Sequence, residues 1–185
     1  MSQVATFAHV EVVPNTLVLL DIDETILFYD GIDEDWWSER IDYHATSSQC
    51  CNETAMLLSI DDWFRHISCH HPRHTDRAGL DALLRSIEDT HSHLLFITAR
   101  NPKYKPITID HLRRLGLQRV EDRVHYLGGW PKGDYIQTNI DTSSYARVVF
   151  IDDVSKNIAS VADALTRDGK LRTYQFVMND ERRRV

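Results

Sequence analysis

Residues 16–25 read TLVLLDIDET, a short run of β-branched and aliphatic residues that breaks at Asp21 into two carboxylates, Asp21 and Asp23, and a hydroxyl, Thr25. A run without polar alternation suits a strand covered on both faces, as in a parallel sheet. The same abrupt break recurs further on: LLFI (94–97) runs into Thr98, and VVFI (148–151) runs into Asp152 and Asp153. Two weaker candidates, RVHYL (123–127) and LRTYQFV (171–177), bring the set to five strands. Apolar residues at helical spacing lie between them. Leu80, Leu83, Leu84 and Ile87 precede the second strand, and Ile107, Ile109, Leu112, Leu115 and Leu117 follow it. Ile158, Val161, Ala162 and Leu165 precede the fifth strand, with Gly169 placed to end that helix. The alternation predicts an α/β three-layer sandwich around a five-stranded parallel, Rossmann-like sheet.

Residues 28–79 break the repeat. They hold no convincing strand, one helical candidate (IDDWFRHIS, 60–68), the paired Trp36 and Trp37, and all three cysteines. We read them as a small, mostly helical insertion over one end of the sheet, within a single domain spanning 1–185; long connections at such positions are often functional.

The chain has 185 residues, 42% of them hydrophobic, which suits one compact domain. Its net charge of −7 is uneven. No Lys or Arg precedes Arg40, while nine acids do, so residues 1–39 carry −9 and the rest +2. An acidic front argues against a Lys/Arg-led targeting segment and against a basic nucleic-acid-binding arm, and fits a concentrated cation. No apolar run approaches the roughly 20 residues needed to cross a bilayer. No membrane partner is therefore expected, and three cysteines, too few for a disulfide scaffold, lead to the expectation of a cytoplasmic location.

In an open parallel sheet the ligand site lies beyond the carboxyl ends of the strands. There the sequence places Asp21, Asp23 and Thr25, then Thr98, then Lys132 in the loop GGWPKGD, then Asp152 and Asp153. Converging carboxylates repel one another unless a divalent cation holds them, and oxygen ligands without His or Cys favour Mg²⁺ over zinc. Carboxylates, a hydroxyl, an ammonium and a magnesium site suit phosphoryl transfer, whose slow uncatalysed rate demands several electrostatic devices at once.

The segments DIDET (21–25), FITAR (96–100), WPKGD (130–134) and FIDDVSKN (150–157) resemble, in order and placement, the four motifs of the haloacid dehalogenase (HAD) superfamily. The resemblance covers roughly 15–30 and 80–177. It implies a strand order of 5-4-1-2-3, with Asp21 as nucleophile and Asp23 as general acid and then base. It further implies that Thr98 holds a phosphoryl oxygen and that Lys132 stabilises the phosphoryl group and orients Asp21. Mg²⁺ would be held by Asp21, the Asp23 backbone carbonyl and Asp152, with Asp153 as a direct or water-mediated ligand. Dehalogenases that resemble this core lack the second Asp, whereas phosphatases and other phosphotransferases keep it, so Asp23 argues against dehalogenation. Asp153 and Asn157 could equally cap the helix beginning near Val154.

The segment RHISCHHPRHTDR (65–77) is open to three readings: a structural zinc site with Cys50 and Cys51, a solvated polar face, or a cationic surface for an anionic substrate. Packing of the insertion is favoured for Trp36 and Trp37 over stacking on a substrate ring, and a surface ion pair is favoured for Arg100. The expected activity is Mg²⁺-dependent hydrolysis of a phosphomonoester through an aspartyl-phosphate. The alternatives are a catalytically silent binding or regulatory module, or another phosphotransferase of the superfamily. The expected partner is a phosphorylated substrate; a nucleotide or nucleic-acid substrate is left open without being indicated, as is the oligomeric state. The roughly 20 residues between Lys132 and Asp152 leave no room for a second insertion, which assigns substrate selectivity largely to 28–79.

Overall fold

The apolar run at 16–20 forms a strand buried at every position, and it lies at the centre of the sheet. The computed structural model describes residues 2–165 and 169–178. In chain order the strands are β1 (Ser2–Val4), β2 (Thr16–Leu20), β3 (Leu27–Phe28), β4 (Arg73–His74), β5 (His93–Thr98), β6 (Val124–Tyr126), β7 (Arg147–Asp152) and β8 (Leu171–Phe176). The helices are α1 (Glu34–Ser47), α2 (Asn52–Ser68), α3 (Arg77–Asp89), α4 (Lys105–Arg114), α5 (Lys132–Asn139) and α6 (Ser155–Leu165). The end of α6 expected before Gly169 falls on residues 166–168, outside the described residues; Gly169 itself has a φ of +63°.

The main sheet has six strands in the order β1-β8-β7-β2-β5-β6, every pair parallel. Five strands were expected, and their order is the expected 5-4-1-2-3. The sixth, β1, escaped the sequence reading because it is three residues long and buries only Val4, so it leaves no apolar run. It is held by pairing with Tyr174–Phe176 and by the Phe7 ring stacked on Phe176, centroids 4.5 Å apart.

Register brings the polar strand ends level. Leu20 pairs with Ile151 on one side and Phe96 on the other, so Asp21 and Asp152 both sit one residue further along, and Thr98 one residue beyond that. The Asp21 amide donates to the Ile151 carbonyl at 3.0 Å, extending the ladder to the first carboxylate. Beneath, Leu17, Leu19, Val148 and Phe150 pack with Ile136 of α5 and Ile158 and Val161 of α6. Truncating any one of these to Ala removes about 2–5 kcal/mol of packing, which is why the strand ends are a rigid platform. The helix α3 buries Leu80, Leu83 and Ile87 and is capped by Asp76, which accepts from the Gly79 amide.

The chain divides into two compact units, 1–27 with 74–185, and 28–73. The short strands β3 and β4 form a separate two-stranded sheet. Within 28–73 there are two helices where sequence spacing indicated one. The missed helix α1 has no fully buried residue and hence no clear apolar stripe. Its start is set instead by Asp33, which accepts from the Trp36 amide at 2.9 Å, with Glu34 and Asp35 in the favourable first turn. Trp36 and Trp37 join α1 to α2 through His66 and Trp63, ring centroids 6.0 Å apart in each case, beside a His44–Asp62 contact of 2.8 Å. No helix among the described residues is long and apolar enough to cross a membrane.

Candidate active site

The side chains of Asp21, Thr25, Lys132, Asp152 and Asp153 meet where β2 and β7 end. Asp152, fully buried, accepts from the Lys132 ammonium at 2.6 Å, from the Val154 amide at 2.9 Å and from the Asn157 amide group at 3.0 Å. The same ammonium donates to Asp21 Oδ1. The Thr25 hydroxyl lies 3.0 Å from Asp21 Oδ2 and 3.1 Å from Asp153 Oδ1, so it can donate to either, and it accepts from the Asp153 amide. Thr25 thus links the loop after β2 to the loop after β7. Thr75 in turn donates to the Thr25 carbonyl at 2.5 Å.

Lys132 reaches this point because it opens α5 directly after Pro131. Its side chain is 3% exposed, while Lys103 and Lys105, which also follow a strand, are exposed. Burial pulls its pKa down, but Asp21 and Asp152 outweigh that and hold it above the usual lysine value, so it carries a full charge. Gly133 lets α5 approach α6 closely. A Cβ there would lie 2.1 Å from the Ser160 carbonyl oxygen, and the Gly133 amide donates to the Ser160 hydroxyl. Gly133→Ala must push the helices apart, at a cost of about 1–3 kcal/mol, and drag Lys132 with them. A lowered thermal midpoint together with lost activity is the expected outcome; a variant as stable as wild type would contradict the close approach.

Thr98 is fully buried at the end of β5, and its hydroxyl accepts from the Arg100 amide at 3.2 Å. The Asp23 carboxylate lies outside the Asp21–Asp152–Asp153 group. It is held by Arg100, whose Nε donates to Oδ2 at 2.8 Å and whose terminal nitrogen donates to Oδ1 at 2.5 Å. The surface ion pair favoured for Arg100 is therefore corrected: its side chain is 1% exposed and faces the interior. The sequence signal was the position of Arg100, two residues past a strand end. The partners that bury it, Thr108 and His111, lie on α4 and are related to it only through the fold.

One oxygen each of Asp21, Asp152 and Asp153 lies within 4.8 Å of the others, and among the described residues this is the one group of three or more His, Cys, Asp or Glu so placed. The cysteines and histidines of 50–74 do not form such a group; Cys50 is half-buried, and Cys51 and Cys69 are exposed. Burial, with Asp152 beside it, pushes the Asp153 carboxyl up to about 6. Burial likewise raises Asp21 well above the usual carboxylate range, against the opposing pull of Lys132. Three clustered carboxylates thus exceed the charge of one ammonium, and an all-oxygen donor set fits a hard divalent cation.

Without such an ion, the sign of the pH dependence follows. The folded state binds the Asp153 proton more tightly than the unfolded chain, whose value lies near 3.8, so stability present in acid is lost as pH rises through about 6. The size is on the order of 3 kcal/mol. In chelator, wild type should lose thermal stability between pH 5 and 7.5 relative to Asp153→Asn; parallel curves for the two proteins would refute the raised carboxyl.

Residues 1–126 match the model of the family described as "Protein of unknown function (DUF2608)", a stretch that includes Asp21, Asp23, Thr98 and Arg100 but ends before Lys132 and Asp152. No curated protein matches the sequence. Among solved structures, the chain is similar to a putative beta-phosphoglucomutase from Thermotoga maritima, at 15% identity and a TM-score of 0.56, over 89% of this chain and 86% of that one. It is also similar to the class C acid phosphatase from Bacillus anthracis, at 18% identity and a TM-score of 0.47, over 92% and 70% of the respective chains. At 15% identity the likeness to the first of these is one of fold.

Proposed function

The chain belongs to the DUF2608 family, and we propose that it is a Mg²⁺-dependent phosphatase that hydrolyses a phosphomonoester through an aspartyl-phosphate. The observation that carries this reading is the buried Lys132 ammonium held between Asp21 and Asp152 at adjoining strand ends. A buried ion pair is weak support for stability on its own, so its placement asks for a chemical reason.

In this reading an Asp21 oxygen attacks phosphorus, and the bond to the leaving oxygen breaks as the Asp21–phosphorus bond forms. Lys132, kept protonated, gives the phosphoryl oxygens a cationic partner, and the Thr98 hydroxyl donates to one of them. Asp23 supplies a proton to the leaving oxygen. It then removes one from the water whose attack on phosphorus frees Asp21 and releases inorganic phosphate. Asp21, Asp152 and Asp153, with the Asp23 backbone carbonyl, are the groups that would hold Mg²⁺, which when bound offsets phosphoryl charge and favours the ionised form of Asp21.

The test is phosphate release by the purified protein from a panel of sugar, nucleotide, amino-acid and polynucleotide phosphates, with Mg²⁺ or with chelator. Release that requires Mg²⁺ and differs among substrates is expected. No release from any member with Mg²⁺ present would favour a silent binding module instead.

A further inference from the structure

We propose that Arg100 is the positioning residue for Asp23, holding its carboxylate in one orientation by a two-point contact that a lysine cannot reproduce. The proposal rests on the reading of Asp23 as acid and base given above. Asp23 follows the strand end, and its side chain is 26% exposed, so burial alone does not fix its orientation. The guanidinium supplies the constraint, with one nitrogen on each carboxylate oxygen at 2.8 and 2.5 Å. A carboxylate has about four lone-pair positions, so this fork leaves each oxygen one for proton exchange.

Arg100 is itself fixed from behind. Its other terminal nitrogen donates to the Thr108 hydroxyl at 3.1 Å and lies 3.5 Å from His111 Nδ1. Burial, reinforced by Arg100, pushes His111 down to about 4, so the ring is neutral and adds no second positive charge beside the guanidinium. The Arg100 backbone is pinned too, its amide donating to the Thr98 hydroxyl and its carbonyl accepting from Gly128. Burying a guanidinium against a part-exposed carboxylate is a poor way to gain stability, whereas it is an effective way to set an angle.

The experiment compares wild type, Arg100→Lys, Asp23→Asn and the double variant on two probes with Mg²⁺ present. These are 4-nitrophenyl phosphate, whose leaving group needs little protonation, and phenyl phosphate, whose leaving group needs more. Arg100→Lys keeps the charge and loses the fork. It should lower kcat about 10- to 100-fold with KM within about twofold, and more for phenyl phosphate than for the nitrophenyl ester. In the Asp23→Asn background it should cost nothing further. An equal fold-loss in both backgrounds, or a raised KM with unchanged kcat, would show that Arg100 acts on something other than Asp23 and would overturn the proposal. Asp23→Asn with wild-type kcat would instead overturn the acid and base reading beneath it. Should Arg100→Lys fail to fold, as judged by circular dichroism, Thr108→Val removes one support of Arg100 and leaves the fork intact. A kcat loss of about threefold that vanishes in Asp23→Asn supports the proposal, and a wild-type kcat overturns it.

Discussion

Asp21→Asn is expected to abolish phosphate release from 4-nitrophenyl phosphate, a loss on the order of 10⁴-fold or more, because no other group then forms the covalent bond to phosphorus. The substitution is nearly isosteric. Its amide oxygen can still accept from Lys132 and its amide group can meet Thr25, both partners of the Asp21 carboxylate. It also removes a carboxylate that burial disfavours in its charged form. The thermal midpoint should therefore stay within a few degrees of wild type, separating loss of chemistry from loss of fold. Wild-type turnover by a folded Asp21→Asn protein would rule out the aspartyl-phosphate route.

Lys132→Met should damage both stability and activity. The ammonium is 3% exposed and is shared by Asp21 and Asp152, neither of which has another cationic side chain at hydrogen-bond distance among the contacts resolved. Removing one partner of a buried pair costs about 3–5 kcal/mol, and here two carboxylates are left facing each other. The deficit has a defined pH dependence. Lys132 lowers the Asp21 pKa, so without it the folded protein holds an Asp21 proton to higher pH, and part of the loss is recovered on acidification. Thermal unfolding in chelator at pH 5.5 and 7.5 should show the larger deficit at pH 7.5. A deficit independent of pH would mean that Lys132 acts through packing of its methylenes rather than through charge.

Much of this site can be read from local sequence because of where the residues lie on their strands. A buried strand in a parallel sheet must be continuously apolar, so it ends visibly, and Asp21, Thr98 and Asp152 are each the first polar residue after such a run or within it at its last position. Lys132 is less legible, since no apolar run precedes it and only the scarcity of lysines sets it apart; the sequence places it in a loop, whereas it is the first residue of α5. The strand β1 and the helix α1 were missed for one shared reason. Burial of a single residue, or of none, leaves no periodic pattern, and both elements are held by contacts made elsewhere in the chain.

Apolar runs and helical spacing are enough for the α/β class and for the gathering of polar residues at one end of the sheet, while the order of the five principal strands comes only from the motif resemblance. The class and the gathering follow from the hydrophobic effect acting on short stretches, and each stretch carries its own signature. The fold was needed to show that Lys132 contacts Asp21 and Asp152 together, that Thr25 links Asp21 to Asp153, and that Arg100 turns inward to hold Asp23. These are contacts between residues 77 to 128 positions apart, apart from Lys132 and Asp152 at 20 and Thr25 and Asp21 at 4. A charged side chain has the same local pattern whether it meets water or a buried partner, and only the register of neighbouring strands decides which it meets.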